Sequence, residues 1–260
     1  MNRWPSLFVS HGAPTLILED TPTRRFLAGL GQAFPRPRAV VVVSAHFMTE
    51  RPTLGAAKRP PTVHDFYGFP DELYEMAYPA KGDPDLARAI QARLGQAGIE
   101  ADLDPIAGLD HGAWVPLKLM YPEADLPVVP LSVCPDGADA DHVALGHALA
   151  PLRDEGVLIL ASGGLTHNLR EYMTRAPDAP VPGWTRAFAD AIESAVRADR
   201  RAELAEWRQS IPEAAHNHPS PEHFLPFLVA LGAATLGLAG RAVHRDYQWG
   251  VLAHDAYWFD

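Results

Sequence analysis

Histidine is the residue type in this sequence that most directly suggests chemistry. The chain has 260 residues and twelve histidines, and a neutral imidazole can bind a metal or move a proton near neutral pH. His46 stands at the end of "VVVVSAHF", whose valines 40–43 predict a strand buried on both faces. His11 follows the strand-like "SLFVS" and His167 follows "GVLILASGGLT". Three histidines therefore occupy equivalent places, where predicted strands end.

The segments between these histidines predict an α/β protein. Strands are expected at 6–10, 38–45, 100–104, 126–133 and 156–162, and helices at 21–34, 71–77, 83–97, 112–121, 139–153 and 184–209. The proline-rich segment 51–70 is expected to be a loop. Residues 241–259 contain "AVHRDYQWG" and "VLAHDAYWF", which predict a hairpin. We expect a mostly parallel central sheet flanked by helices, with a C-terminal antiparallel addition, in one domain over 1–260.

The topology of such a sheet brings the strand-end histidines together. Side chains just past the carboxyl ends of parallel strands face one crevice, where open α/β proteins bind ligands. His11, His46 and His167 are therefore expected to share a site. The alternative for any one of them is a hydrogen-bonded structural histidine, but repetition at three strand ends favours the shared site. Pro127 and Pro130 predict that the strand at 126–133 lies near an edge of the sheet.

A fourth candidate ligand is His223 in "HPSPEHFLP". Ser220 and Pro221 are typical of a helix cap and first helical position, which would place Glu222 and His223 in the first turn. The positive end of the helix dipole would keep His223 neutral and available to a metal. Pro226 indicates that this helix is kinked or begins later.

Two further histidines compete with that assignment. His216 and His218 lie in the loop before Ser220 and are rivals for the ligand role. A solvated loop position is the alternative for each. His111, in "GLDHGAWVPL", has flanking glycines that allow close approach to a ligand. Trp114 could form the wall of an aromatic-binding pocket or belong to the core.

Composition excludes several classes of function. The formal net charge is −10 without basic clusters, which argues against nucleic acid and anionic membranes as partners. No apolar run is long enough to span a membrane and the first residues do not resemble a signal peptide, so we expect a cytoplasmic protein. Cys134 is the single cysteine and follows an apolar run, which favours a buried structural thiol.

Seven motifs together resemble a known family. The motifs are "SHGAP", "SAHF", "VHDFYGFP", "LDHGAWVPL", "SGGLTHNL", "HPSPEHFLP" and "DAYWF". In this order they resemble the type III extradiol aromatic ring-opening dioxygenases of the 4,5-DOPA dioxygenase group. The resemblance implies one divalent metal ion bound by His11, His46 and His223. It also implies that His167 is the acid/base residue beside the metal, with a further metal ligand as the alternative, and that His111 lies close to the metal without binding it.

The same resemblance implies a small-molecule catechol and dioxygen as reactants. His64, Asp65 and Tyr67 of "VHDFYGFP" are expected at the rim of the pocket, with packing as the alternative. Extradiol enzymes generally bind iron(II) through two histidines and one carboxylate. Here the third position is His223, so iron(II) is expected for oxygenase activity and zinc in protein as purified. A zinc hydrolase of amides or esters and a non-catalytic binding protein are the other hypotheses.

Overall fold

The β-favouring runs of the sequence form one eight-stranded sheet in the computed structural model, which describes residues 3–260. The strands are β1 Ser6–Ser10, β2 Ala39–Met48, β3 Thr53–Gly55, β4 Asp102–Asp104, β5 Val128–Val133, β6 Val157–Gly163, β7 Arg241–His244, β8 Tyr247–Gln248, β9 Leu252–Ala253 and β10 Ala256–Phe259. The sheet order is β4-β3-β5-β2-β6-β1-β10-β7, and β8 pairs with β9 separately. The predicted α/β class is confirmed.

The strands that carry the candidate histidines are neighbours in the sheet. β2 is parallel to β5 and β6, and β6 is parallel to β1. β10 pairs with β1 in the antiparallel direction and β7 with β10, which confirms the predicted C-terminal antiparallel addition. The carboxyl ends of β1, β2 and β6 consequently lie side by side.

The helices cover both faces of this sheet. They are α1 Pro22–Leu30, α2 Asp71–Glu75, α3 Pro84–Gln96, α4 His111–Met120, α5 Asp139–Leu149, α6 Leu169–Tyr172, α7 Gly183–Arg197, α8 Arg201–Ala205, α9 Trp207–Ser210, α10 Ala214–Asn217 and α11 Leu225–Ala233, with 3₁₀ turns at Pro14–Ile17 and Ala150–Glu155. Alternate residues of β2 enter opposite cores: Val41 and Val43 pack in the cluster that contains α11, and Val40 and Val42 pack in the one that contains α4. No helix within residues 3–260 has the length and apolar character to cross a membrane.

Two glycines bring α11 against α5. A Cβ at Gly146 would lie 2.2 Å from the carbonyl oxygen of Val229, and one at Gly232 would lie 2.1 Å from that of Val143. Each helix therefore presents a glycine to the backbone of the other. This close packing fixes α11, whose first residue comes two positions after His223.

The predicted place of β5 near an edge is wrong, because β5 lies between β3 and β2 and pairs with both. Its proline is tolerated because β3 pairs with β5 at one position only, Leu54 with Leu131. Gly55 makes room for the ring of this proline, Pro130, because a Cβ at Gly55 would lie 2.4 Å from that ring. The segment 51–70 thus contains a strand as well as a loop. Cys134, just after β5, is buried as predicted, and burial raises the pKa of its thiol.

Several helix boundaries also differ from the prediction. The segment 184–209, where helices are predicted, contains three of them, α7, α8 and α9. α4 begins at His111 because the carboxylate of Asp110 accepts a hydrogen bond from the backbone N–H of Ala113 and caps it. Thr21 caps α1 as expected, accepting from the N–H of Arg24.

Candidate active site

Three imidazole nitrogens converge where β1, β2 and the chain before α11 meet. His46 Nε2 lies 3.1 Å from His11 Nε2 and 3.3 Å from His223 Nε2. Nitrogens bound to one ion at about 2.0–2.1 Å each would be separated by roughly this much. One nitrogen of each ring lies within 4.8 Å of the others. The spacing and the donor type therefore fit a single divalent ion.

The tautomer of His11 follows from its hydrogen bonds. Ser162, on β6, donates its hydroxyl proton to the carbonyl oxygen of Gly112. The same hydroxyl lies 3.0 Å from His11 Nδ1 and can only accept there, so Nδ1 carries the proton. His11 Nε2 consequently has a free lone pair directed at the other two rings.

His223 is oriented in the same way by Glu222. The carboxylate accepts from His223 Nδ1 at 3.0 Å and also from the hydroxyl of Ser220. A carboxylate on the second nitrogen of a histidine fixes its orientation and makes it a better metal ligand. The predicted helix cap at Ser220 is wrong, because α11 begins at Leu225 and His223 lies in the turn before it.

Two glycines of β6 and its following loop hold this turn in place. The N–H of Gly164 donates to the carbonyl oxygen of His223 at 3.0 Å. A Cβ at Gly163 would lie only 2.1 Å from that same oxygen. The sequence "SGG" at 162–164 therefore lets the His223 turn approach the sheet closely enough for its ring to meet those of β1 and β2.

Asp65 connects His46 and His111. Its carboxylate accepts from His111 Nδ1 at 3.0 Å and from the His111 backbone N–H at 2.9 Å. His46 Nδ1 is 3.4 Å from the same carboxylate. Burial alone would raise the pKa of Asp65, but the hydrogen bonds and charge of His111 lower it to about 2, so the group is ionised. Because His111 Nδ1 donates to Asp65, Nε2 is the ring nitrogen left to face the cavity.

His167 lies outside the group formed by His11, His46 and His223, but one of its nitrogens lies within 4.8 Å of ligand atoms of Glu222 and His223. Its ring stacks on that of His223 with centroids 3.3 Å apart and planes 10° apart. Its backbone N–H donates to the carbonyl oxygen of Asn217. Burial lowers the pKa of His167 to about 4, opposed by Glu222. The ring is therefore neutral at pH 7.

The rings of His46, His11 and His223 are neutral for the same reason. Burial lowers the pKa of His46 to about 4, although Asp65 and Glu222 oppose the shift. Burial, followed by repulsion from neighbouring imidazoles, lowers the pKa of His11 and of His223 well below the ordinary value. Neutral imidazoles present lone pairs, which is the state a metal ion requires.

A cavity of about 320 Å³ opens onto this cluster. Its lining residues are His11, Gly12, Ala13, Pro14, His46, Phe66, Phe69, His111, Gly163, Gly164, Thr166, His167, Leu169, Tyr172, Met173, His223, Leu252 and His254. The size of this cavity and its apolar wall are typical of a site that binds a small molecule. All five histidines that the resemblance implicates in metal binding or catalysis therefore face one apolar cavity.

The three residues expected to bind substrate lie elsewhere. Trp114 is fully buried and donates from Nε1 to the carbonyl oxygen of Val63, which makes it a core residue. Tyr67 is 91% exposed, and His64 bonds to the carbonyl oxygen of Met76. None of the three lines the cavity. Trp114 packs in the core, and His64 and Tyr67 lie in the 61–70 loop without lining the cavity, so their role in substrate binding stays a prediction.

The rival ligands are also separated from the cluster. His216 stacks on Trp184 and lies 3.5 Å from Glu171. His218 donates from Nε2 to the carbonyl oxygen of Leu165 and packs among aromatic rings. Neither belongs to a group of residues with converging ligand atoms.

Sequence reasoning missed the polar groups that orient the rings. Ser162 is buried inside a strand-like run, and nothing in its local sequence distinguishes it from a core serine. Glu222 was noted only as a neighbour of His223, although adjacency to a ligand was a usable signal. His254 was placed in the terminal hairpin and given no role, yet it lines the cavity.

Comparison with known proteins agrees with this geometry. The family described as the catalytic LigB subunit of aromatic ring-opening dioxygenase matches residues 6–249. A 4,5-DOPA dioxygenase extradiol of Beta vulgaris is 39% identical, with 98% of this chain and 96% of that protein covered. One of Escherichia coli (strain K12) is 41% identical, with 89% and 85% covered.

A solved structure extends the similarity to the fold. The crystal structure of an uncharacterized protein from Escherichia coli K12 superposes with a TM-score of 0.84 at 34% identity, with 99% of this chain and 100% of that chain covered. Its similarity spans the sheet and the segments that carry the histidine cluster. Since the family match spans most of the chain, this protein belongs to the LigB family of metal-dependent aromatic ring-opening dioxygenases and is an extradiol ring-cleaving enzyme.

Proposed function

We propose that this enzyme cleaves a catechol next to its two hydroxyl groups, using iron(II) bound by His11, His46 and His223. The observation that carries the proposal is the convergence of three Nε2 atoms, two pairs of which are 3.1 and 3.3 Å apart. Ser162 accepts a hydrogen bond from Nδ1 of His11, and Glu222 accepts one from Nδ1 of His223. When bound there, iron(II) would supply dioxygen activation and lower the pKa of the catechol hydroxyls.

His167 is proposed as the acid/base residue. It lines the cavity and stacks on His223, so its ring is beside the place where the catechol oxygens would lie. A neutral imidazole can accept a hydroxyl proton and return it later in the reaction. Its position outside the three converging nitrogens supports a role in proton transfer rather than in holding the metal.

His111 is proposed to position the reactants. Its Nδ1 is committed to Asp65, so only Nε2 can interact with a bound molecule. The ring is 3.9 Å from that of His46, centroid to centroid. His111 would therefore orient a substrate oxygen or dioxygen by one hydrogen bond, while Phe66 and Phe69 exclude water from that side of the cavity.

The identity of the metal in isolated protein is a separate proposal. Nitrogen ligands bind zinc more tightly than iron(II). Protein purified in air should therefore carry zinc or little metal and have little dioxygenase activity. Zinc has no redox chemistry to offer dioxygen.

Family membership favours this reaction over a zinc hydrolase or a binding protein. Relatives from Beta vulgaris and Escherichia coli are named for 4,5-DOPA, which makes catechols with one ring substituent the first compounds to test. We also propose that the whole chain is one catalytic domain, since one eight-stranded sheet contains strands from both ends of the described residues.

The test is anaerobic reconstitution with iron(II), followed by oxygen-uptake measurements with a panel of catechols. We expect oxygen-dependent formation of a yellow semialdehyde by the iron form and none by the zinc form. The proposal fails if the iron form, with one metal per chain confirmed, consumes no oxygen with any catechol while the zinc form hydrolyses an ester or amide.

A further inference from the structure

The cavity at the histidine cluster offers no charged partner to a substrate. Among the described residues that line it, none is Asp, Glu, Lys or Arg. Apart from its histidines, the wall consists of glycines, Thr166 and apolar or aromatic side chains. A charged group held here would lose its hydration without gaining a partner of opposite charge, which is unfavourable. A charged ring substituent therefore binds well only if it reaches beyond this wall.

A second depression, of about 340 Å³, adjoins the cavity and contains charged side chains. We call it the polar depression; its lining residues are His167, Asn168, Leu169, Arg170, Pro219, Ser220 and Glu222. It shares His167 and Leu169 with the cavity. A substrate that extends past these two side chains passes from the cavity into the polar depression.

Glu222 brings the polar depression close to the reacting end of the cavity. One of its carboxylate oxygens lies within 4.8 Å of a ring nitrogen of His167 and of His223. The hydrogen bonds that Glu222 accepts from Ser220 and from His223 both end on Oε1. Within residues 3–260, Oε2 accepts none, so it remains available to a substrate N–H. A short aliphatic chain can therefore connect a catechol ring at the histidine cluster with this carboxylate.

Arg170 supplies the positive charge of the polar depression. It is exposed, and the side chain of Asn168 accepts a hydrogen bond from its backbone N–H. Within residues 3–260, its guanidinium has no hydrogen-bond or ion-pair partner, whereas Arg175 lies 4.0 Å from Glu171. The Arg170 guanidinium is therefore available to a carboxylate, which it can bind through two parallel hydrogen bonds.

The two opposite charges select among charged substituents. A substituent that carries only a carboxylate would be attracted by Arg170 but repelled by Glu222, and one that carries only an ammonium would meet the reverse. A zwitterionic α-amino acid group satisfies both, with its carboxylate at Arg170 and its ammonium at Glu222. The polar depression is therefore complementary to an amino acid group.

We propose, building on the function proposed above, that the polar depression binds the α-amino acid group of a catechol amino acid and that Arg170 is the specificity residue for its carboxylate. Glu222 Oε2 accepts a hydrogen bond from the ammonium. The apolar wall of the cavity packs against the aromatic ring.

The experiment compares four catechols with the iron form. DOPA carries both charges, dopamine lacks only the carboxylate, 3-(3,4-dihydroxyphenyl)propionate lacks only the ammonium, and 4-methylcatechol is uncharged. We expect kcat/KM for DOPA to exceed that for each of the others by about tenfold. Calorimetric titration of the zinc form should give the same order of affinity without turnover. Binding of DOPA should weaken as the ionic strength rises, because salt screens partly exposed charges.

Variants then test Arg170. Arg170→Gln should lower the ratio of kcat/KM for DOPA to that for dopamine by about tenfold, mainly through the KM of DOPA. Arg170→Lys keeps the positive charge and should retain part of the ratio. Arg175→Gln removes the same charge from the same segment without lining the polar depression, so it is the matched control, with the ratio unchanged. Metal affinity, measured by chelator competition, should match the parent in all three variants.

Different outcomes separate this inference from the proposed function. If dopamine or 4-methylcatechol equals DOPA in both kcat/KM and Kd, the polar depression does not bind the amino acid group, and the ring-cleavage proposal stands. An unchanged ratio in Arg170→Gln, or an equal fall in Arg175→Gln, removes the role of Arg170. If no catechol is cleaved but Arg170→Gln weakens DOPA binding to the zinc form, the proposed function fails and the inference survives. Absence of DOPA binding to the zinc form overturns the inference.

Discussion

The rings of the site are held in orientation by neighbours that accept hydrogen bonds from Nδ1. Ser162 does this for His11, Glu222 for His223 and Asp65 for His111. In His11 and His223 the opposite nitrogen, Nε2, keeps its lone pair. The site therefore depends on the tautomer of each histidine as well as on the residue type.

Glu222→Ala should weaken metal binding. His223 would lose the acceptor that fixes its tautomer, and loss of such partners typically lowers affinity about 10- to 100-fold. Competition with a chromophoric chelator measures the change. Glu222→Gln keeps an acceptor oxygen and should bind metal more tightly than the alanine variant, whereas Glu203→Ala, on α8, should match the parent. Equal affinity in Glu222→Ala and the parent would contradict the assignment.

His167→Ala should lower turnover by about 10²- to 10⁴-fold while most of the metal is retained. General acid/base catalysis contributes about this much, and the ring stacks on His223, a proposed ligand, outside the three converging nitrogens. Metal content and kcat of the iron form are the measurements. If His167→Ala empties the site as completely as His46→Ala, His167 is a full ligand.

Among the secondary-structure elements, the site depends on the turn that carries His223, which packs against the end of β6. Gly163 and Gly164 admit the carbonyl of His223, and α11 begins just beyond the turn. The position of His223 is therefore set by contact between segments distant in sequence rather than by a local helix cap.

Gly163→Ala should displace this turn. The added Cβ would lie 2.1 Å from the His223 carbonyl oxygen, closer than atoms can approach, so backbone must move. We expect lost metal affinity and a lower free energy of unfolding, measured by chelator competition and denaturant titration. Gly29→Ala, near the end of α1, is the control, because a Cβ there meets nothing within 4 Å. Parent-like metal binding by Gly163→Ala would refute the role of this contact.

Positions set by strand order could be predicted from sequence, whereas positions set by contact between distant segments could not. The places of His11, His46 and His167 follow from strand order, because carboxyl ends of parallel strands share one edge. The start of α11 could not be predicted, since Pro221 and Pro226 both fit a first helical turn and packing of the turn decides between them. Trp114 was ambiguous because nearly every residue of α4 is buried, so no exposed face indicates which side meets the cavity.

At the scale of the whole molecule, several histidines are buried as neutral rings. His218 donates from Nε2 to the Leu165 carbonyl oxygen among Phe188, Trp207 and Phe224. Burial lowers the pKa of His218 from 6.5 to about 3, although the bond to Leu165 opposes the shift. His218 therefore binds a proton near pH 6.5 in the unfolded chain, but only near pH 3 in the folded chain.

Stability should consequently fall as the pH drops from about 6.5 toward 3, because unfolding takes up protons in that range. His218→Gln keeps a donor for the Leu165 carbonyl but cannot titrate. It should reduce the pH slope of the unfolding free energy by up to about 1.4 kcal/mol per pH unit, one proton's worth. Denaturant titrations at several pH values measure this slope, with the exposed His147→Gln as control. An unchanged slope in His218→Gln would contradict the account.

In the proposed site, one metal ion is held by histidines from β1, β2 and the turn before α11. Anomalous diffraction at the iron edge, from crystals grown anaerobically with iron(II), tests it most directly. We predict one peak per chain, about 2.0–2.2 Å from Nε2 of each of His11, His46 and His223. A peak at His216 or His218, or one that lacks any of these three nitrogens, would contradict the account.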